Sequence, residues 1–361
     1  MKTIANRHVL RAEPYVPGKP IDEVKRELGL KQVIKLASNE SPFAPSPKVL
    51  KAIAAEAKNL NRYPDGQCFL LRQELAKRLK VAPEQIIFGN GSDEVIVMAI
   101  RAFIEPGNEV VIAKPSFLIY EIAAKLAGAK VKAVPLRNAF YDLDSMKRVV
   151  TEKTKMIFIG NPDNPAGTYV TQSEILDFLS NLRRDIVIFF DEAYFEYVLD
   201  KDYPDTLKLL SDYKNIIVAR TFSKLYGLAG LRIGYGIADK EVVEILNRVR
   251  EPFNVNSLAQ AAALACLKDQ AYYQRIAKFS LKEKKNIYAA LGKMDVLYRE
   301  SATNFILVEV KKNSSEVARE MLKRGVIVRD MAPWGMRYFI RMTIGTGKEN
   351  KRFLQVLKEV L

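Results

Sequence analysis

The sequence predicts an α/β protein with a large domain, in which helices sandwich a mostly parallel seven-stranded sheet, and a smaller α+β domain. Short apolar segments alternate with helical patterns in the first two thirds of the chain. Uninterrupted apolar strands are typical of strands buried on both faces, and helices between them imply parallel crossovers. After residue 250 the pattern changes to an Ala-rich helix, a charged helix and the strand-like segments 304–309 and 326–329. The predicted strands of the large sheet are 86–88, 110–113, 131–134, 156–159, 186–190, 216–219 and 233–237.

The domain organisation follows from length and local composition. With 361 residues, the chain is longer than a typical single domain. We expect residues 1–45, which are rich in proline and turn residues, to form an N-terminal arm and part of the small domain. The large domain then covers residues 46–250, and residues 251–361 form the small C-terminal domain.

Composition indicates a well-packed soluble protein, with 48% hydrophobic and 27% charged residues. No apolar run approaches the ~20 residues that span a bilayer. No segment resembles a signal peptide, and Cys68 and Cys266 form no cluster, which favours a reducing, cytoplasmic location. The single histidine, His8, excludes histidine-based catalytic triads and paired-histidine zinc sites, so we expect no metal. The formal charge of +15 is interleaved with acidic residues, which favours a solvated surface over nucleic-acid binding.

Residues 221–232 place one lysine, two hydroxyls and one arginine among small and apolar residues. Removing a lysine amine from water favours its neutral form, which can form a Schiff base with a carbonyl. Thr221, Ser223 and Arg232 are suited to surround a phosphate, with the guanidinium giving paired, charge-assisted hydrogen bonds. A carbonyl and a phosphate on one ligand describe pyridoxal 5′-phosphate, with Lys224 as the reacting amine. A lysine considered alone is more often an exposed side chain.

Three other segments supply what such a site needs. Asp191 ends an apolar strand, where it can pair with the pyridine nitrogen and keep the ring an electron sink; it can equally cap the next helix. Asn164 lies in a turn with two Asn-Pro pairs, and its amide or the nearby Tyr194 can bond the ring oxygen, although a rigid turn explains the segment alone. Gly91, before an apolar helix, can expose N–H groups to an anion, or simply begin that helix.

Together these segments identify a resemblance that covers nearly the whole chain. The order of phosphate loop, asparagine turn, strand-end aspartate and Ser-Lys with a downstream arginine resembles the fold-type I, class II pyridoxal-phosphate aminotransferases, and most closely their histidinol-phosphate subgroup. Such a fold is called aspartate aminotransferase-like. The Ser-Lys block with Arg232 is highly specific for the fold type. Segments that resemble the subgroup are 17–20, 36–42, 62–66 and 341–346.

The resemblance implies a role for each matching residue. Lys224 forms the Schiff base and moves the proton, Asp191 holds the pyridinium, and Asn164 and Tyr194 hold the ring oxygen. Arg341 binds the carboxylate of glutamate and, with Arg329, the phosphate of histidinol phosphate. Residues implied around the cofactor phosphate are Gly91, Ser92, Asp93, Thr221, Ser223, Arg232 and, from the partner subunit of a homodimer, Tyr63; Tyr15, Asn39 and Tyr63 are implied on the substrate side.

One departure concerns the residue that stacks on the cofactor ring. Phe117 stands where the family usually has tyrosine, so that stacking remains and a hydroxyl contact is lost. The implied reaction is transfer of the amino group of L-histidinol phosphate to 2-oxoglutarate in histidine biosynthesis. Decarboxylation of threonine phosphate and broad aromatic transamination stay open, because the same arginines would serve each substrate. A non-catalytic sensor is disfavoured, since no DNA-binding module precedes the fold.

Overall fold

The computed structural model describes residues 4–12, 14 and 18–361 of the chain. Its helices are α1 (Ile21–Leu28), α2 (Pro47–Glu56), α3 (Phe69–Leu79), α4 (Ser92–Phe103), α5 (Leu118–Leu126), α6 (Leu143–Arg148), α7 (Gln172–Ser180), α8 (Thr206–Leu209), α9 (Lys240–Val249), α10 (Ser257–Leu267), α11 (Gln270–Lys293), α12 (Ser314–Lys323) and α13 (Gly347–Val360). Its strands are β1 (Ile34–Lys35), β2 (Ile86–Gly89), β3 (Glu109–Lys114), β4 (Lys130–Pro135), β5 (Thr154–Gly160), β6 (Val187–Asp191), β7 (Ile216–Thr221), β8 (Gly234–Ala238), β9 (Tyr298–Arg299), β10 (Phe305–Glu309), β11 (Val326–Ile327), β12 (Arg329–Asp330) and β13 (Phe339–Thr343).

The large sheet contains each of the strands expected from the apolar segments. Within the described residues it has seven strands in the order β2-β8-β7-β6-β5-β3-β4. The pairs from β7 to β4 are parallel, whereas β8 is antiparallel to both of its neighbours. The prediction of a mostly parallel sheet is therefore confirmed.

Both faces of this sheet are buried, which explains why its strands lack alternation. On β5 and β6, Ile159 and Phe190 belong to the hydrophobic cluster on one face. Phe158 and Phe189, their neighbours in sequence, belong to the cluster on the opposite face. Because successive side chains of a strand point to opposite faces, each face takes every second apolar residue.

A smaller, antiparallel sheet forms in the C-terminal part, where four described strands lie in the order β12-β13-β10-β9. Near the N-terminus, β1 pairs in parallel with β11, and Leu36 joins the apolar cluster formed by α13 and the small sheet. The α+β character expected after residue 250 is thus present. The domain boundaries at residues 45 and 250 stay predictions.

The parallel strands fix the location of the candidate site. Strands β5, β6 and β7 all end at one edge of the large sheet, where Gly160 lies opposite Asp191 and Asp191 opposite Ala219. Polar residues that follow the strand ends therefore meet at this edge. Across the described parts of the chain, no helix has the length and apolar character needed to cross a membrane.

Candidate active site

A cavity of about 530 Å³ lies at this edge of the large sheet. It brings together segments that are far apart in sequence, as expected for a site at the carboxyl ends of parallel strands. Of the residues predicted to bind the cofactor, those that line it are Ser92, Asp93, Phe117, Asn164, Asp191, Tyr194, Thr221, Ser223, Lys224 and Arg232.

Lys224 is presented by a tight turn directly after β7. The N–H of Gly227 donates to the Lys224 carbonyl at 3.2 Å, and the N–H of Leu228 returns to the Phe222 carbonyl at 3.0 Å. Gly227 adopts a φ of 67°, which favours glycine. The Lys224 side chain is half-buried, and its Nζ lies 5.5 Å from the centre of the Tyr194 ring. The turn thus directs an amine into the cavity beside the sheet edge.

An anion cradle lies between the start of α4 and Arg232. Gly91 precedes the helix with a φ of 90°, and no described side chain caps the first N–H groups of α4. This φ favours glycine, and a Cβ on Gly91 would also displace the Arg232 guanidinium and the Asp93 carboxylate. Arg232 Nη2 donates to Asp93 Oδ1 at 2.7 Å. Free N–H groups, the helix dipole and a guanidinium together form a site suited to a phosphate.

Glu94, whose role was not predicted from the sequence, stabilises the loop before α4. Glu94 accepts hydrogen bonds from the N–H of Asn90 and from Asn254 Nδ2, the latter at 2.7 Å. Arg250 extends this network by donating to Asn254 Oδ1 at 3.1 Å and to the carbonyl of Gly66 at 2.8 Å. Glu94, at the third helical position, matches a helix-start pattern, whereas nothing local indicates Asn254 or Arg250.

Asp191 is buried at the end of β6, with 6% of its surface exposed. Burial raises the pKa of its carboxyl to about 6, against the opposing effects of a hydrogen bond from Tyr120 and the Lys224 charge. Tyr120 Oη donates to Asp191 Oδ2 at 2.7 Å, and the N–H of Ala193 donates to Oδ1 at 3.2 Å. Its carboxylate therefore both caps the following turn and faces the cavity.

Tyr120 was also missed by the sequence reasoning. It lies one helical turn beyond Phe117 on α5, so its ring meets that of Phe117 edge-on at 5.6 Å. On its other side it stacks on Phe158 at 4.6 Å. The helical spacing from Phe117 was the available signal. Through these contacts Tyr120 connects Asp191 to Phe117, the residue predicted to stack on the cofactor ring.

The Tyr194 hydroxyl lies between two amides. Asn39 Nδ2 donates to Tyr194 Oη at 2.8 Å, and Asn164 Nδ2 approaches it at 3.5 Å. Asn39 is buried and is fixed by Thr343, whose Oγ1 accepts from the Asn39 N–H at 2.9 Å. Arg341 Nη1 donates to Asn164 Oδ1. The Tyr194 hydroxyl is thus the point where side chains from the N-terminal segment and from the large sheet meet. The small sheet joins them through Thr343 and Arg341.

A second cavity of about 110 Å³ adjoins the first and carries the two arginines predicted on the substrate side. Arg341 is buried, donates to the Ala37 carbonyl at 3.2 Å, and has its Cζ 5.0 Å from the centre of the Phe305 ring. Arg329 Cζ lies 4.7 Å from the centre of the Trp334 ring. Asn39, Asn164, Tyr194, Lys224 and Phe117 also line this cavity. Two guanidiniums beside one amine give a pocket suited to an anionic substrate.

Of the described site residues, Tyr63 lies away from these cavities. Tyr15 lies outside the described residues. Tyr63 is 83% exposed and stacks on Phe253 at 4.8 Å, on the surface of the single chain. The fold of one chain therefore does not bring Tyr63 into the site.

The residues present fit pyridoxal 5′-phosphate. The Gly91 cradle provides space and N–H donors for a phosphate, and Lys224 and Asp191 are on the cavity wall at the same sheet edge. A carboxylate for a ring nitrogen, an amine for an aldehyde and a cradle for a phosphate are the three groups this cofactor needs.

Comparison with known proteins places the chain in a family. The profile of aminotransferase class I and II matches residues 31–357. A histidinol-phosphate aminotransferase from Caldicellulosiruptor saccharolyticus is 46% identical over 98% of this chain and 99% of its own length. The chain belongs to the aminotransferase class I and II family, and its cofactor is pyridoxal 5′-phosphate.

Solved structures agree with this assignment. Histidinol-phosphate aminotransferase from Sinorhizobium meliloti, in complex with pyridoxal-5′-phosphate, superposes with a TM-score of 0.90 at 28% identity, over 99% of this chain and 97% of the other. L-threonine-O-3-phosphate decarboxylase from Porphyromonas gingivalis superposes with a TM-score of 0.80 at 26% identity, over 91% of this chain and 99% of the other. The aspartate aminotransferase-like fold expected from the sequence is confirmed.

Proposed function

We propose that the protein is a histidinol-phosphate transaminase. It moves the amino group between L-histidinol phosphate and 2-oxoglutarate in a ping-pong reaction, giving imidazole acetol phosphate and glutamate, within histidine biosynthesis. The observation that carries this proposal is the cavity in which Arg329, Arg341 and Lys224 meet. Two guanidiniums suit the dianionic phosphate of the donor, and the amine lies in the same pocket. The names of the relatives support the same substrate.

The chain has a residue for each part of the cofactor. The N–H groups of Ser92 and Asp93, with Thr221, Ser223 and Arg232, would hold the phosphate in the Gly91 cradle. Asp191 would pair with the ring nitrogen, Asn164 and Tyr194 would bind the ring oxygen, and Phe117 would cover the ring face. When bound, the cofactor supplies a reactive aldehyde and a ring that withdraws electrons from the carbon that loses a proton.

Proton transfer falls to Lys224. His8, the single histidine of the chain, is half-buried beside Gly128 and does not line the cavity, so no imidazole is available there. The Lys224 amine is half-buried at the cavity wall, and its Nζ would accept the proton from the amine-bearing carbon of the substrate and hold it for return. The Tyr194 hydroxyl accepts a hydrogen bond from Asn39 and provides a polar group on the same cavity wall as Lys224.

The arginines are suited to both half-reactions. Arg341 is positioned by the Ala37 carbonyl and by Asn164, and it would bind a carboxylate of glutamate or 2-oxoglutarate. Together with Arg329 it would bind the phosphate of histidinol phosphate. Asn39 and Tyr15 would close the substrate side.

A homodimer belongs to this proposal, because Tyr63 would complete the partner's site. Large apolar side chains are exposed beside Tyr63 and in the neighbouring sequence, and a solvated surface seldom carries such a patch. Phe253 stacks on Tyr63 and Leu70 lines the same surface cleft, while Leu60 and Phe69 are close in sequence; they are exposed by 47%, 68%, 59% and 57%. A second copy of the chain would cover this patch and receive Tyr63 at its cofactor phosphate. We place the enzyme in the cytoplasm, where its two buried, free cysteines would stay reduced.

The proposal is tested by a half-reaction. Cofactor-loaded protein is mixed with L-histidinol phosphate without an acceptor, and the absorption of the bound cofactor is followed. We expect conversion to the amine form of the cofactor and its reversal by 2-oxoglutarate. Phenylalanine as donor, at the same concentration, measures selectivity against aromatic amino acids. An unchanged spectrum with histidinol phosphate would contradict the assignment.

A second candidate is decarboxylation of threonine phosphate. It is supported by the similarity to the Porphyromonas gingivalis structure and would use the same arginine pair. Release of carbon dioxide from threonine phosphate, with no amino transfer from histidinol phosphate, would favour this reaction instead.

A further inference from the structure

Trp334, the single tryptophan of the chain, lies beside the arginine pair. It ends a short 3₁₀ turn, Ala332–Trp334, that is separated from β12 by Met331 alone. The side chain is half-buried and lines the same 110 Å³ cavity as Arg329, Arg341 and Lys224. Its ring centre is 4.7 Å from Arg329 Cζ, within the range of a cation–π contact.

The turn that carries Trp334 is firmly held. The N–H of Trp334 donates to the Met331 carbonyl at 3.0 Å, and Met331 is fully buried. Asp330 accepts the N–H of Ala332 at 2.9 Å, and it also accepts the hydroxyls of Ser314 and Ser315 at 2.7 and 2.6 Å, at the start of α12. The indole is therefore attached to the small domain at two points. One is the buried residue Met331, and the other is the Asp330 carboxylate, which accepts hydrogen bonds from the start of α12.

The two arginines of the pocket have different surroundings. Arg341 is 7% exposed and bonds the Ala37 carbonyl and Asn164, so the N-terminal segment and the turn after β5 both position it. Arg329 is less buried and lies on the indole face of Trp334. A guanidinium that lies on a fixed aromatic face keeps its orientation toward the cavity.

We propose that Trp334 is a positioning residue for Arg329 and thereby sets selectivity for a phosphate-bearing amine over a carboxylate-bearing one. The inference rests on the proposed function. Arg341 serves both substrates, whereas Arg329 adds the second guanidinium that a dianion uses. Loss of the indole face leaves Arg341 in place and weakens the hold on the phosphate.

The first test is kinetic. Trp334→Leu removes the aromatic face, Trp334→Phe keeps a smaller one, and Tyr338→Leu removes an exposed aromatic ring of the small domain as a matched control. From the strength of such contacts we expect Trp334→Leu to raise KM for histidinol phosphate about three- to thirtyfold, with kcat and the KM for 2-oxoglutarate unchanged. The KM of Trp334→Phe for histidinol phosphate should lie between those of the wild type and of Trp334→Leu. The KM of Tyr338→Leu should match that of the wild type.

The second test uses Trp334 emission and does not depend on turnover. In the cofactor-loaded wild type, inorganic phosphate should change the tryptophan fluorescence saturably, and Arg329→Gln should abolish this change or weaken binding at least severalfold. Turnover of histidinol phosphate with an unchanged KM in Trp334→Leu would overturn the inference alone. No turnover of histidinol phosphate by the wild type would overturn the proposed function. A fluorescence change that persists in Arg329→Gln would mean that the phosphate binds elsewhere.

Discussion

Arg329 and Arg341 lie directly opposite each other on the antiparallel strands β12 and β13. Like charges in such a cross-strand pair destabilise a sheet. Here each guanidinium has an aromatic ring within cation–π distance, Trp334 for Arg329 and Phe305 for Arg341. The small sheet therefore keeps two cations side by side at a cavity, an arrangement that an anionic ligand would stabilise.

Substitution of each arginine should separate the two substrates. Arg341→Gln should raise KM for both histidinol phosphate and 2-oxoglutarate, and Arg329→Gln should raise it for histidinol phosphate alone. A hydrogen bond to a charged group contributes about 1.5–3 kcal/mol, so each affected KM should rise roughly ten- to a hundredfold. Steady-state kinetics with one substrate varied at a time measures both values. Equal effects of the two variants on 2-oxoglutarate would contradict the division of roles.

Lys224→Ala should abolish turnover while the fold remains, because the amine lies on a cavity wall and supports no described part of the core. The cofactor should no longer become attached to the chain when the loaded protein is treated with borohydride, as measured by the mass of the denatured chain. Lys201→Ala, at an exposed position, is the control and should retain the mass increase. A labelled chain in the Lys224 variant would show that another lysine reacts.

Tyr120→Phe should raise the pKa of Asp191 above its value of about 6, because the lost hydrogen bond stabilises the charged carboxylate. Since the cofactor ring nitrogen pairs with the ionised form, cofactor affinity at pH 7 should fall about three- to tenfold. The affinity should recover toward the wild-type value as the pH rises through the raised pKa. Cofactor titrations between pH 6 and 9 measure this, with Tyr298→Phe as the control. A loss of affinity that is the same at every pH would indicate a packing effect only.

Glu196→Gln should change how stability depends on pH. Its Oε2 is enclosed without a hydrogen-bond partner among the described residues, and burial raises the pKa of the carboxyl from 4.5 to about 8. The folded state therefore holds one more proton than the unfolded state between these values, so the free energy of unfolding falls as pH rises through this window. The slope is about 1.4 kcal/mol per pH unit for one proton.

Glutamine resembles the neutral acid and cannot ionise, so the variant should lose this part of the slope. Chemical unfolding of the cofactor-free protein at several pH values between 5 and 8 measures it. Glu244→Gln, at an exposed helix position, should leave the slope unchanged. If Glu196→Gln also leaves the slope unchanged, Glu196 is ionised in the folded protein and the prediction is wrong.

Tyr63 provides a test of the shared site. The variants Lys224→Ala and Tyr63→Ala should each have low activity when assembled alone. Mixed, unfolded and refolded together, they should form hybrid dimers in which one site has both native residues, so activity should reappear. Refolding each variant separately before mixing is the control. If mixing restores no activity although dimers form, Tyr63 does not act across the interface.

The sequence by itself determined the fold class and the large sheet, because apolar segments of strand length alternate with helical patterns. The Ser-Lys block, the strand-end Asp191 and the Gly91 loop were identified for the same reason: each is a local pattern, in which neighbouring residues provide the chemistry. The cavity brings them together because parallel strands end at one edge of the sheet.

Tertiary structure alone decided which distant residues position these groups. Tyr120 bonds Asp191 across 71 positions and Asn39 bonds Tyr194 across 155, while Trp334 lies on Arg329 without any motif that marks it. Such contacts depend on how helices and sheets pack. The residues next to a side chain in the sequence therefore do not predict which distant side chain it will contact. The raised pKa of Asp191 has the same origin, since burial is a property of the folded chain and not of the segment that contains the residue.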